Sequence, residues 1–468
     1  MKRTGWAVST SIVVAAAAVI AYTVASAWPF VDEHDYPTFA PLLERVRPAV
    51  VNVAVVSAAP PTQGNPLLED PFFRRFFELP DDFEFQQPLP QQGVGSGVII
   101  DADRGLIVSN SHVVQNADDI VVTLTDRRQF NAEVVGSDPA TDVALLRIEA
   151  DNLSEIPFGD SDDLDVGDFV LAIGNPFGIG QTATAGIVSA LGRSGINIEG
   201  YEDFIQTDAS INPGNSGGAL VGLDGTLKGI NTAILSPAGG NVGIGFAIPS
   251  NMVQRVVGQL LEFGEVRRGR IGIGIQDVTP ALDEALGLGI DRGALVSEVE
   301  PGSPAEAAGI EVGDVVVAVN GDPVETSTEL RNAIGLMRLG ETVTLTLIRD
   351  GDTRELEVRV SPAEDSAQAA EPGDRGEANR VQALEGAELM TLGPGDPRFT
   401  GRAGVIVTNV RPGSRAARNG LRPNDIIFGV NRMDVATVEE LRSALESITG
   451  AIALRVEREG RQLFLTIQ

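Results

Sequence analysis

The chain has 468 residues, 43% of them hydrophobic and 5% aromatic, with 53 glycines; this length suits about three domains, and the composition suits β-rich domains with many turns. Its formal net charge of −30 repels phosphate backbones and makes nucleic acid a poor partner. Cysteine is absent, which excludes disulfides, thiolate metal sites, cysteine nucleophiles and a lipoprotein anchor.

In chain order, residues 1–27 read as an export signal. Met1-Lys2-Arg3 is a positive start, 12–24 is apolar, and Ala25-Ser26-Ala27 is a small-x-small cleavage site. No charge occurs between Arg3 and Asp32, a stretch long enough to span a bilayer uncleaved, so a retained anchor is the alternative. Either reading places the rest of the chain outside the cytoplasm.

From 41 to 263, short β-branched runs separated by Gly, Asn and Asp predict strands at 49–56, 97–101, 120–124, 143–148 and 229–234. No amphipathic helices alternate with them, so the domain is a barrel or sandwich, closed by a helix at 251–263. Inside it, 58–93 is rich in Pro and Gln yet carries Phe72, Phe73, Phe76, Phe77, Phe83 and Phe85. Ordinary linkers lack aromatics, so this loop is expected to dock on its own domain or another subunit.

The last third repeats itself. Residues 293–334 overlie 404–445 at a constant offset of 111, with roughly 17 of 42 positions identical. Each copy reads as strand, Pro-Gly-Ser turn, short Ala-rich helix ending at Gly309 or Gly420, strand through Asp314 or Asp425, Asn turn and helix. Two domains of one fold are therefore expected at 265–362 and 381–468. Residues 363–380 lack a periodic apolar face and read as a flexible tether.

The chemistry centres on 211-INPGNSGGAL-220, which fits both the G-x-S-x-G nucleophile elbow of α/β-hydrolases and the GNSGG segment of trypsin-like proteases. A serine needs a base, usually histidine, and this chain has two, His34 and His112, both ahead of Ser216. The hydrolase order Ser…Asp/Glu…His cannot be met, no helix is predicted after Gly218, and no HGGG loop is present. The order His…Asp…Ser remains. In 106-LIVSNSHVV-114, His112 follows an apolar strand, and in 138-DPATDVALLRI-148, Asp142 enters another. The turn before Ser216 leaves the N–H groups of Gly214 and Ser216 free to face an oxyanion. Each residue by itself has an ordinary structural reading; their conjunction points to catalysis.

The segments GSGVII at 95–100, SNSHVV, TDVALLRI and IQTDASINPGNSGGAL, with the two PDZ-like repeats, resemble the HtrA/Deg (Do-like) periplasmic serine endoproteases over essentially the whole mature chain. The resemblance implies a mainly β fold, a trypsin-like double β-barrel followed by two α+β PDZ domains. It implies His112 as general base, Asp142 as its orienting partner, Ser216 as nucleophile, and ATP-independent cleavage of unfolded or misfolded proteins, with chaperone activity as a further expectation. It also implies a periplasmic location and assembly into homotrimers or larger cages, with no cofactor and no metal. The 58–93 insertion matches a regulatory loop whose phenylalanines contact a neighbouring subunit; some relatives carry a disulfide there, which this chain cannot form. Family position labels 193–203 the sensor loop and 235–243 a loop near the specificity pocket.

The turn Ala209-Ser210-Ile211-Asn212 holds no acid, and Ile211 with Asn212 suggests a small apolar pocket and cleavage after Val or Ala. The run Arg270-Ile271-Gly272-Ile273 resembles a PDZ carboxylate-binding loop, which takes apolar C-terminal peptides as an added strand. The matching register of the second copy, Val381-Gln382-Ala383-Leu384, lacks such a glycine loop, so the second repeat is expected to serve assembly. Two alternatives remain open: a membrane-tethered regulatory protease, and a PDZ chaperone or scaffold with secondary proteolysis. A histidine base also implies activity that falls as pH drops through the imidazole range, about 6.5 to 7.

Overall fold

The computed structural model of the full chain describes residues 38–57, 91–176, 180–194, 201–212, 214–234, 242–362, 384–394, 396, 398–399, 402–448 and 451–467. The export signal, the phenylalanines of the 58–93 loop and the 363–380 tether lie outside the described residues. The chain forms two compact units, the first running from Met1 to Gly264 apart from residues 197–203, the second holding those residues and Glu265–Gln468.

Two antiparallel β layers make the first unit. One is a seven-stranded sheet ordered Gln129–Asn131, Asp119–Thr123, Val50–Ser57, Gln91–Asp101, Leu106–Ser109, Val143–Arg147, Glu133–Asp138. The other is a closed six-stranded barrel of Phe204–Thr207, Gly245–Pro249, Leu227–Ile234, Ala219–Gly222, Phe169–Gly174 and Thr182–Arg193. The double barrel expected from the resemblance is thus a closed barrel beside an open sheet. The sheet's two edge strands follow one another across Ala132, whose N–H donates to Ile120 O at 2.9 Å, so chain continuity joins the edges. Strand Val143–Arg147 is buried at its first four residues, as a run of apolar side chains demands when both faces are covered. The closing helix is Ser250–Phe263, which buries Met252, Val253, Val256, Val257 and Leu260 at the spacing of one helical face.

Within the second unit each repeat is an antiparallel sheet. The first runs from the edge strand Ile273–Asp277 through Ala294–Val299, Val315–Val319 and Thr342–Arg349 to Asp352–Arg359; the second from Ala387–Leu392 through Gly404–Val410, Ile426–Val430 and Ile452–Arg458 to Arg461–Ile467. Asp314 and Asp425, read from sequence as lying within strands, stand one residue ahead of them. Both are 1% exposed, because each carboxylate is held by an arginine: Arg349 Nε and Nη2 reach Asp314 at 2.5 and 2.7 Å, and Arg458 Nε and Nη2 reach Asp425 at 2.8 Å each.

The repeats share a small apolar core in which Val278, Leu282, Leu286, Leu295 and Val315 meet Ala453 and Phe464. At its edge Gln276 answers the backbone of Phe464 like a neighbouring strand, Oε1 accepting from its N–H at 2.7 Å and Nε2 donating to its carbonyl at 3.3 Å. Of the 193–203 loop, residues 195–200 lie outside the described set. In the second unit, Asn332 Nδ2 donates to Glu202 O at 2.9 Å and the Arg268 guanidinium lies 4.1 Å from the Tyr201 ring centroid.

Candidate active site

His112 sits in the short helix Ser111–Val114, directly after strand Leu106–Ser109, and its side chain is 50% exposed. Asp142 precedes strand Val143–Arg147 with φ +56°, a left-handed conformation that aspartate adopts more readily than most residues. That backbone turn aims the carboxylate back at His112. Nδ1 of His112 lies 3.0 Å from Oδ1 and 2.8 Å from Oδ2, the His112 N–H donates to Oδ1 at 3.0 Å, and Thr232 Oγ1 donates to Oδ2 at 2.5 Å. The Asp142 carbonyl meanwhile accepts from Ser111 N at 3.1 Å and Asn110 Nδ2 at 3.0 Å. A carboxylate with 8% of its side chain exposed needs such donors to offset its lost hydration. Because an ionised carboxylate only accepts, the ring proton sits on Nδ1 and leaves Nε2 as an acceptor.

Ser216 comes from the other layer, on the turn ahead of strand Ala219–Gly222. Its carbonyl accepts from Ser96 N at 2.8 Å, and Ser96 Oγ donates to Gly214 O at 2.6 Å while accepting from Asn175 N at 2.8 Å. Gly217 has φ +81°, and a Cβ there would lie 2.2 Å from Ser96 O, so the turn can approach the sheet this closely only with glycine. Among the described residues the N–H groups of Gly214 and Ser216 have no acceptor. Ser216 Oγ donates to Thr232 O at 3.1 Å; among the described residues no hydrogen bond joins it to His112.

The two layers therefore bring together an imidazole with a fixed tautomer, a serine hydroxyl and two N–H groups on one turn. Such a set, joined through Thr232, holds the groups acyl transfer needs: proton acceptor, nucleophile and oxyanion donors. Thr232 and Ser96 were not singled out in the sequence. Their only signal there is a polar side chain within a strand rich in apolar residues and glycine, at 229-GINTAI-234, where Asn231 is polar too, and at 95-GSGVII-100.

Ile211 is 1% exposed in the barrel core with Leu164, Val170, Val188 and Leu220, its Cδ1 closing on Gly245. Asn212 is exposed, and its carbonyl accepts from Asn215 N at 2.9 Å. Most of the 235–243 loop lies outside the described residues. Among the described residues no group of three or more His, Cys, Asp or Glu could hold a metal ion, and no helix is long and apolar enough to cross a membrane.

In the first repeat, Ile271 is buried at 3%, Gly272 has φ +81° with its missing Cβ 2.3 Å from Ser303 Cβ, and Ile273 opens the edge strand. Arg270 Nη2 pairs with Glu300 Oε2 at 3.2 Å. The reading of the second repeat needs correction. Of Val381-Gln382-Ala383-Leu384, the first three lie outside the described residues and Leu384 is a core side chain, 1% exposed. The true counterpart lies just beyond. Gly386 has φ +94°, with its missing Cβ 2.2 Å from Ser414 Cβ; Glu385 O accepts from Ala416 N at 3.1 Å and Gly386 O from Arg411 N at 2.8 Å, as Ile271 O and Gly272 O accept from Ala305 N and Glu300 N at 2.9 Å. A constant offset failed because the connection between the edge strand and the next one is shorter in the second repeat, where no counterpart of helix Pro280–Leu286 is found among the described residues.

A model of the trypsin-like peptidase domain matches residues 95–230, and PDZ domain models match 269–360 and 382–457. The chain is 46% identical over 438 residues to the periplasmic pH-dependent serine endoprotease DegQ of Escherichia coli K12, covering 93% of this chain and 92% of that protein. It is 44% identical to the periplasmic serine endoprotease DegP of the same organism, covering 92% of each. Among solved structures, the HtrA-type protease AlgW with a tripeptide aligns with a TM-score of 0.55 at 39% identity, covering 70% of this chain and 99% of that one. With a peptidase domain, two PDZ domains and such identity across nearly the full length of its relatives, the chain belongs to the HtrA/Deg (Do-like) family of trypsin-like serine endoproteases.

Proposed function

We propose that His112, Asp142 and Ser216 are the catalytic triad and that the N–H groups of Gly214 and Ser216 form the oxyanion hole. The supporting observation is the bridging of the buried Asp142 carboxylate between His112 Nδ1 and Thr232 Oγ1. The Ser216 hydroxyl leaves the Thr232 carbonyl, gives its proton to His112 Nε2 and attacks the scissile carbonyl. The oxyanion sits on the two N–H groups, and the imidazolium, stabilised by Asp142, returns the proton to the leaving amine. Water, deprotonated in turn by His112, then releases the acyl group. The Thr232 side chain positions Asp142.

Substrates on this reading are unfolded or misfolded proteins outside the cytoplasm, cleaved after small apolar residues, with apolar C-termini held at Arg270, Ile271, Gly272 and Ile273. The periplasmic names of the relatives and the peptide-bound state of a solved neighbour support this reading, as does the export-signal pattern at 1–27. A homotrimer or larger assembly, and chaperone activity alongside proteolysis, belong to the same proposal. Degradation of β-casein tests it: Ser216→Ala is expected to lower the rate by about 10⁴-fold or more. Residual degradation within tenfold of the parent would remove Ser216 as nucleophile. Loss of aggregation suppression in that variant would remove the chaperone reading.

A further inference from the structure

We propose that the second repeat is itself a docking site for a polypeptide C-terminus, and that it favours one with acidic side chains next to the terminal residue. The loop needed for a terminal carboxylate is built there. Gly386, in the left-handed region, is packed on Ser414 as Gly272 is packed on Ser303, and the carbonyls on either side of the bend carry the same two bonds. Strand Ala387–Leu392 lies at the edge of its sheet, with one side open to an added strand.

Charge selects the occupant. In the first repeat the position after the strand next to the edge is Glu300, neutralised by Arg270 beside the loop. In the second repeat the same position is Arg411, exposed, with no ion-pair partner among the described residues. Its Cβ would lie 3.5 Å from a Cβ on Gly386. Arg418, also exposed, follows on the short helix, where the first repeat has Ala307. Glu385, exposed on the loop, offsets one of these charges. The contrast holds for the whole domains. Residues 381–468 hold eleven arginines and ten carboxylate side chains, whereas 265–362 hold nine and eighteen. An acidic peptide repelled by most of this chain meets one neutral to basic face, at the loop that can take its terminal carboxylate.

The test uses the full chain in the Ser216→Ala background and fluorescein-labelled decapeptides ending in Asp-Glu-Val, the same peptide amidated at its C-terminus, and one ending in Lys-Lys-Val. The acidic free acid is expected to protect 384–392 from hydrogen exchange, and to bind about tenfold tighter than either control. Arg411→Glu should remove that preference, while Gly272→Val, which disrupts the first loop, leaves it in place. Equal binding of acid and amide, protection confined to 271–277, or an unchanged preference in Arg411→Glu would each overturn the proposal.

Discussion

The two PDZ repeats share their polar framework and differ in the charges around the loops at Gly272 and Gly386. In both, a buried aspartate is gripped by an arginine from the strand across the sheet, and the same guanidinium reaches the carbonyl of the glycine ending the short helix: Arg349 to Gly309 O and Arg458 to Gly420 O, each at 2.7 Å. In both, an asparagine in the left-handed region, Asn320 at φ +53° and Asn431 at φ +51°, accepts from the facing strand, from Thr344 N at 2.9 Å and Ala453 N at 2.7 Å. Both long helices are capped by a threonine, Thr326 or Thr437. These devices satisfy groups the fold must bury, so sequence divergence leaves them in place. The loop at Gly272 or Gly386 keeps its backbone while the residue after the next strand changes from Glu300 to Arg411.

Removing the aspartate of either clasp is the strongest way to break this comparison. Asp314→Ala or Asp425→Ala strands a mostly buried guanidinium and exposes the N–H groups each carboxylate accepts from, Glu311 N at 2.9 Å and Arg422 N at 2.8 Å. A loss of about 3 to 5 kcal/mol is expected in the repeat concerned, read by hydrogen exchange of its central strands in the full chain. Arg349 has a further partner, Glu311, at 2.6 Å. The Glu311 side chain is 67% exposed, so this bond adds little and the two losses should match. A loss in one repeat more than twice that in the other would show that the shared geometry does not carry shared energetics.

How far the sequence could be read follows from the range of each interaction. Local periodicity placed the closing helix and five strands of the first unit; the chain order of the histidines against Ser216 excluded the hydrolase elbow, and the apolar strand ahead of it singled out His112 over His34. The repeat was legible because its turns, caps and clasps keep their spacing. The register of the second loop was not, since a shortened connection shifts every residue ahead of it and Gly386 carries no mark apart from its φ. Thr232 was hidden for another reason: its hydroxyl reaches Asp142 across 90 residues, a contact created by docking one β layer on the other. Chain closure of the sheet through Ala132 is likewise a property of how strands are ordered in space, which strand-by-strand reading does not supply.

The helix caps give a smaller, more closely matched pair. Thr326 Oγ1 accepts from Glu329 N at 3.1 Å and Thr437 Oγ1 from Glu440 N at 3.2 Å. The two glutamates reach back to the N–H groups of Glu325 and Ala436, each at 2.7 Å. Thr326→Ala and Thr437→Ala should each cost about 1 kcal/mol, measured by exchange in the first turn of the capped helix. Serine in place of either threonine should restore most of it. A cost below a few tenths in one helix would mean that its glutamate satisfies the helix start without the cap.

The smallest effect concerns the connection in which the repeats differ most. Where the first repeat places helix Pro280–Leu286, the second turns through Asp396 and Arg398, with Arg398 Nε and Nη2 donating to the carboxylate at 2.9 and 2.7 Å and Arg398 N at 2.9 Å. These side-chain bonds, then the backbone one, hold the Asp396 carboxyl down at about 2. A depressed carboxyl contributes stability that is complete above its unfolded value, about 3.9, and lost as pH falls through its folded one. The window is therefore about pH 4 to 2, and because the pair is only partly buried the effect is local and weakened by salt. Exchange at Phe399, whose N–H donates to Asp396 O at 3.0 Å, should quicken across that window beyond the intrinsic pH dependence, and Asp396→Asn should abolish the excess. A carboxyl midpoint near 3.9 by NMR would show that the turn holds its shape without the ion pair, as the first repeat's connection holds its own by helix formation.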